Sequence, residues 1–240
     1  MELRNIIFYS GIAGLATIVG TLLVFCREKW ARKHSLSLIS FAAGVMLASA
    51  FIYIIPESLK LYDNALFFVL IGILIFYLLQ HIIMLHPCHD EECRIHRLGM
   101  FSFAGLVFHS FLDGIAIMVG FEAGPSLGII TSLAVLLHKL PEGITITGIL
   151  LYGSMEKTKA FLFSLTVALA APLGAIISYI FLRGISPHLI GALLALAAGS
   201  FIYIAAADLI PETHKVRNKL HPIILLSGAS TLIIIGYFLV

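Results

Sequence analysis

Charge is what this sequence has least of. Asp, Glu, Lys and Arg make up 12% of its 240 residues, against about 25% in a soluble domain. That excludes an ordinary soluble globular fold, and no nucleic-acid partner is expected. Cysteine is scarce too. There are three, and with Cys88 and Cys93 in a connection assigned below to the cytosol, a disulfide framework is excluded and free thiols are expected. No GxxxxGK[ST] phrase occurs, which argues against direct coupling to ATP, and no HExxH phrase of a zinc protease is present.

Apolar residues fill the space. They are 60% of the chain, and the mean hydropathy is +1.05. Runs long enough to cross about 30 Å of hydrocarbon recur from end to end. Eight spans are predicted, at about 5–26, 36–56, 64–85, 99–121, 126–152, 158–182, 188–210 and 220–240. Backbone polar groups in lipid must be satisfied within the segment, and runs of this length do so as helices rather than barrel strands. The fold class is therefore an all-α integral membrane protein. The connections are short, so residues 1–240 are read as one transmembrane domain. The first run is read as a retained helix: Arg4 alone precedes it and Arg27, Lys29, Arg32 and Lys33 follow it, the reverse of a signal peptide.

The cations are segregated by side. The N-terminus and the connections after spans 2, 4 and 6 carry Arg4, Lys60 and Arg183, whereas those after spans 1, 3, 5 and 7 carry eleven Lys and Arg. The positive-inside rule then puts both termini outside. Lys139 falls in neither set, because it lies in the middle of span 5.

Spans 2 and 7 share a phrase. Ala42-Ala43-Gly44 precedes Pro56-Glu57, and Ala197-Ala198-Gly199 precedes Pro211-Glu212, at one constant offset. An odd number of crossings separates the two, so the copies run in opposite directions, as in inverted-repeat transporters. Glu57 then closes span 2 on the outer side and Glu212 closes span 7 on the inner side. Asp208 lies one turn deeper than Glu212 on the same face. These three carboxylates are candidates for a transport path, with a solvated helix end as the plain alternative for Glu57 and Glu212.

The chemistry is concentrated in spans 4 and 5. Span 4 reads His109-Ser110-Phe111-Leu112-Asp113-Gly114, and span 5 reads His138-Lys139-Leu140-Pro141-Glu142-Gly143. Each has a His, then a carboxylate four residues on, so both ligands share one helix face. Charged groups at membrane depth are costly and mark function by default. At 1.5 Å rise per residue, His109 and Glu142 both lie about 15 Å from the inner face, and Asp113 and His138 about one turn farther out. Two antiparallel helices would present two layers, each with one imidazole and one carboxylate. Such a set suits Zn²⁺ and also accepts Fe²⁺, Mn²⁺, Co²⁺ or Cd²⁺. A structural His–carboxylate pair tying two helices is the alternative, but two pairs at one spacing exceed that need. Lys139 would repel the ion unless it serves as counter-ion to Asp113 and Glu142 or gives up its proton when metal binds.

These residues resemble the ZIP family (Zrt/Irt-like metal transporters), specifically its branch with an HNxPEG-type phrase in both central helices. The resemblance extends over essentially the whole chain. It implies a 3+2+3 inverted-repeat arrangement of eight helices with both termini extracellular or periplasmic, in the cell (inner) membrane. It also implies uptake of Zn²⁺ or Fe²⁺-like ions toward the cytosol, the ion being cargo rather than cofactor. Carried over residue by residue, the metal site is His109, Asp113, His138 and Glu142, with Met46 of span 2 at similar depth as a soft contributor or simple packing. Members with a two-metal site carry Asn after the first His, an acid or amide after the second, and a Glu in span 6. Here those places hold Ser110, Lys139 and Ala171. One ion per site is the expectation.

Between spans 3 and 4, residues 86–98 form a predicted cytosolic loop whose His86, Cys88, His89, Cys93 and His96 are candidates to receive metal, with a merely solvated loop as the alternative. Their spacing fits no closed zinc motif. Small residues on the helices are compatible with a homodimer. The leading reading is a secondary transporter, not an enzyme. The rival is an intramembrane metal-dependent hydrolase, which would use His and Asp ligands to activate water but would not need inverted repeats.

Overall fold

The computed structural model describes the backbone of residues 3–84, 91–152, 155–214 and 219–239, with side chains except at 82–102, 152 and 239. Among the described residues there is no strand. The chain runs α1 (Leu3–Cys26), α2 (Glu28–Ala48), a π-helical turn π1 (Ser49–Ile54), α3 (Ile55–Leu61), α4 (Ala65–Met84), α5 (Glu91–Ala123), α6 (Pro125–Tyr152), α7 (Lys157–Leu182), α8 (Pro187–Tyr203), π2 (Ile204–Leu209), α9 (Ile210–His214) and α10 (Leu220–Leu239). Since α2–π1–α3 and α8–π2–α9 are each one continuous rod, these form eight rods in all. Seven are long and apolar enough to cross a membrane, and Ala65–His81 is a shorter apolar eighth. The eight expected spans are therefore present as an all-helical membrane protein.

Two boundaries differ from the apolar runs. Span 2 is helical from Glu28, eight residues before its apolar stretch, so Lys29, Arg32 and Lys33 stand on its first turns, where Glu28 pairs with Arg32 at 2.9 Å. Span 4 is helical from Glu91, so the predicted 86–98 loop is too long. Cys93 and His96 lie on helical backbone, and their side chains are outside the described set. His86, Cys88 and His89 lie outside the described residues altogether. Helix continues past a hydrophobic edge whenever local propensity allows, because the apolar run marks burial in lipid rather than hydrogen bonding.

The repeated phrase carries a repeated backbone irregularity. Ser49–Ile54 and Ile204–Leu209 are both π-helical, at the same offset as the phrase itself, and each ends two residues before its proline. Pro56 and Pro211 lack an N–H, and each ring collides with the carbonyl four residues back. The ladder relieves this by slipping from i→i+4 to i→i+5 pairing.

Packing divides the rods into two groups. The first is a four-helix set of α1, α5, α6 and α7. In the second, α2 packs on α10 and α4 on α8, and the groups meet where α2 crosses α6 and α5 crosses α8. Close approach within the first group depends on glycine at the motif. A methyl group at Gly143 would run into the carbonyl oxygen of Thr17 on α1, and one at Gly114 into that of Ala171 on α7.

Candidate metal centre

His109 and Asp113 share a face of α5, and His138 and Glu142 share a face of α6. The two faces meet. One ligand atom from each of the four side chains lies within 4.8 Å of the others. His138 Nε2 is 3.3 Å from Asp113 Oδ2, His109 Nε2 is 3.4 Å from that same oxygen, and His109 Nε2 is 3.9 Å from Glu142 Oε2. A tetrahedral ion with bonds of 2.0–2.1 Å separates its ligand atoms by about 3.3–3.4 Å. Two of the three separations already match. The two layers expected from helical rise thus collapse into one cluster, because Asp113 Oδ2 reaches both imidazoles.

Burial makes the cluster costly without a cation. Asp113 and Lys139 are fully buried, and His138 and His109 nearly so. A carboxylate held out of water needs a counter-charge or a full set of hydrogen bonds. Lys139 provides one. Its Nζ lies 2.8 Å from Asp113 Oδ2 and 2.7 and 2.9 Å from the two oxygens of Glu142, and it donates to Ser110 Oγ at 2.8 Å. Ser110 in turn donates to the carbonyl of Val167 on α7 at 2.7 Å. The ammonium therefore sits beside the two imidazoles, anchored to both carboxylates.

The imidazoles are prepared differently. His138 Nδ1 is 2.8 Å from the carbonyl of Ala134. A carbonyl can only accept, so Nδ1 carries a proton, and Nε2 faces Asp113 Oδ2 at 3.3 Å inside the cluster. His109 Nδ1 and Asp113 Oδ1 are buried without a hydrogen-bond partner. The other oxygen, Asp113 Oδ2, is the one inside the cluster, where it faces both imidazoles and Lys139 Nζ.

Of the other sequence candidates, Glu57, Asp208 and Glu212 are not part of this cluster. Ala171 is buried on α7 with its carbonyl against Gly114. Met46 is buried in an apolar cluster with Ile117, Met118 and Phe201. Glu57 is ion-paired with Lys60 at 2.8 Å near the end of its rod, and Glu212 lies on α9. Asp208 stands on π2, half-buried, and accepts from Gln80 Nε2 of α4 at 2.8 Å, while Gln80 Oε1 accepts from the Tyr203 hydroxyl. Gln80 and Tyr203 carry no motif in the sequence; Tyr203 precedes Asp208 on the same rod, and only helix packing brings Gln80 of α4 to them. Among the described residues, no other group of three or more His, Cys, Asp or Glu side chains converges in this way.

Comparison with known proteins gives this geometry its context. The family model described as ZIP Zinc transporter matches residues 86–236, which contain all four residues of the cluster. The chain belongs to the ZIP family. A relative named zinc transporter ZupT from Chlorobium chlorochromatii is 31% identical over 239 residues, covering 88% of this chain and 89% of its own. Its namesake from Chlorobium limicola is 29% identical over 230 residues, covering 85% and 86%. Human zinc transporter ZIP4 is 32% identical over 141 residues, 56% of this chain and 22% of the human one. At the side of the cluster Ser110 and Lys139 meet each other, the ammonium donating to the hydroxyl.

Proposed function

We propose that this chain is a secondary transporter that moves a divalent transition-metal ion, Zn²⁺ foremost, across the membrane toward the cytosol, by way of a single ion held between His109, Asp113, His138 and Glu142. The observation that carries this reading is the convergence of two imidazoles and two carboxylates, at distances near a tetrahedral edge, between helices that span the membrane. Relatives named zinc transporters at near full-length coverage support the cargo. Fe²⁺, Mn²⁺, Co²⁺ and Cd²⁺ fit the same ligand types less selectively.

Each ligand has a definable task. Asp113 Oδ2 faces both imidazoles and is the central anionic oxygen for the ion. His138, with Nδ1 tied to the Ala134 carbonyl, turns Nε2 toward the ion. Glu142 shares its charge between the ion and Lys139. Lys139, held by Ser110 and Asp113, fills the space where two-metal members of the family place a second ion, and the site therefore takes one. Glu57, Asp208 and Glu212 mark the path beyond the centre. The exposed apolar residues of α4 and α10, among them Phe67, Leu70, Tyr237 and Phe238, meet lipid. A hydrolase would need a water held at an open metal position, and the relatives favour transport over that chemistry.

The test is uptake of labelled zinc into proteoliposomes. Wild-type protein is expected to load the vesicles down the zinc gradient, and His138→Ala and Glu142→Ala are expected to reduce the initial rate at least tenfold, in line with loss of about 1.4 kcal/mol or more per ligand. Flux that survives both substitutions removes this site from the mechanism.

A further inference from the structure

All four ligands come from α5 and α6, yet both imidazoles rest on a ring that belongs to neither helix. Phe201 of α8 is 1% exposed. Its ring stands edge-on to His138, with centroids 5.6 Å apart at 78°, and to His109, at 6.4 Å and 72°. Phe76 of α4 is likewise edge-on to His109, at 6.4 Å and 86°. A metal-binding His ordinarily donates its other N–H to an acceptor, which fixes the plane of the ring. His138 has that bond, to Ala134, whereas the far nitrogen of His109 is buried and unpartnered. His109 is thus held by Asp113 at Nε2 and, on its far side, by packing against aromatic rings and His138, and one ring, Phe201, is common to both imidazoles.

We propose that Phe201, backed by Phe76, positions the two imidazoles and selects for a four-coordinate cargo by presenting a wall without donor atoms to the ion. The proposal rests on His109, Asp113, His138 and Glu142 being the cargo site. Its chemistry is simple. Zn²⁺ is content with four nitrogen and oxygen ligands, whereas Mn²⁺ and Mg²⁺ favour six, mostly oxygen and in part water. A phenyl ring next to both imidazoles offers no oxygen ligand on that side. An ion that favours more oxygen ligands is the one disfavoured. Phe201 reaches the site from the group of helices that carries none of the ligands, so the selectivity would depend on how the two groups meet.

Purified full-length protein in detergent, loaded with Co²⁺ as the probe, reads the coordination number directly. The wild type is expected to show the intense visible bands of four-coordinate Co²⁺. In Phe201→Ala these should weaken toward the pattern of five or six ligands. In vesicles the preference for Zn²⁺ over Mn²⁺ should fall about tenfold, the usual size of a lost supporting contact. Phe201→Leu, which keeps apolar bulk without the flat edge, should move both readouts in the same direction by less, and decides the matter alone if the alanine variant does not fold. Co²⁺ bands lost in His138→Ala but unchanged in both Phe201 variants, with Zn²⁺ and Mn²⁺ flux altered in parallel, overturn the role of Phe201 and leave the site standing. Four-coordinate bands that survive His138→Ala overturn the ligand assignment and this inference together.

Discussion

Removing the ammonium of Lys139 tests the electrostatics of the centre. The Nζ atom lies 2.8 Å from Asp113 and 2.7 Å from Glu142. At an effective dielectric near 20, each contact is worth about 6 kcal/mol of gross attraction. Most of that offsets the cost of taking three charges out of water, and removing one member of such a buried set costs about 3–5 kcal/mol net. Lys139→Ala in metal-free protein is therefore expected to lose about that much stability, since Asp113 and Glu142 are left buried with no cation. Zinc closes the gap. In the wild type the ion must share two carboxylates with the ammonium, while in the variant it has them to itself. The stabilisation by saturating zinc should then be larger in the variant, by an amount comparable to the loss in its absence. Thermal unfolding in detergent, with chelator and with graded zinc, reads both quantities. A chelated variant as stable as wild type, or equal gains on adding zinc, would refute this account of Lys139.

The remaining predictions concern packing, stoichiometry and path. Gly143→Ala drives a methyl group into the Thr17 carbonyl, and the expected result is a loss of about 2 kcal/mol or more with failed transport, checked by unfolding and uptake on the same preparation. Ser110→Asn with Lys139→Asp restores oxygen ligands where the ammonium sits, and bound zinc measured by elemental analysis is expected to rise from one toward two per chain. Asp208→Asn removes a charge on π2 held by Gln80. It should slow zinc flux severalfold while leaving zinc affinity at the centre, measured by equilibrium binding, within about twofold, because the residue lies outside the cluster.

Legibility in the sequence followed the reach of each interaction. The apolar runs announced the rods, since lipid imposes their length and composition. The i, i+4 spacing of His109 with Asp113 and His138 with Glu142 was readable because a helix puts such residues on one face. The helical starts at Glu28 and Glu91 were not, since polar first turns leave no hydrophobic signal. The π turns were foreshadowed only by Pro56 and Pro211, and whether a proline kinks, slips or ends a helix depends on its surroundings. Phe201 and Phe76 lay hidden for a different reason. Phenylalanine in an apolar span is unremarkable until α8 and α4 fold against the motif helices. Lys139 was conspicuous as a buried cation, but the sequence left open whether it paired with the carboxylates or stood clear of them.

The central claim is one ion between four named side chains, with an ammonium in place of a second. Anomalous diffraction at the zinc edge, from crystals of the full chain grown with zinc, tests it most directly. The account expects a single peak per chain, about 2.0–2.2 Å from His109 Nε2, Asp113 Oδ2, His138 Nε2 and a Glu142 oxygen, with Lys139 still beside Ser110. Two peaks at the motif, or a single peak that none of these four atoms ligates, would contradict it.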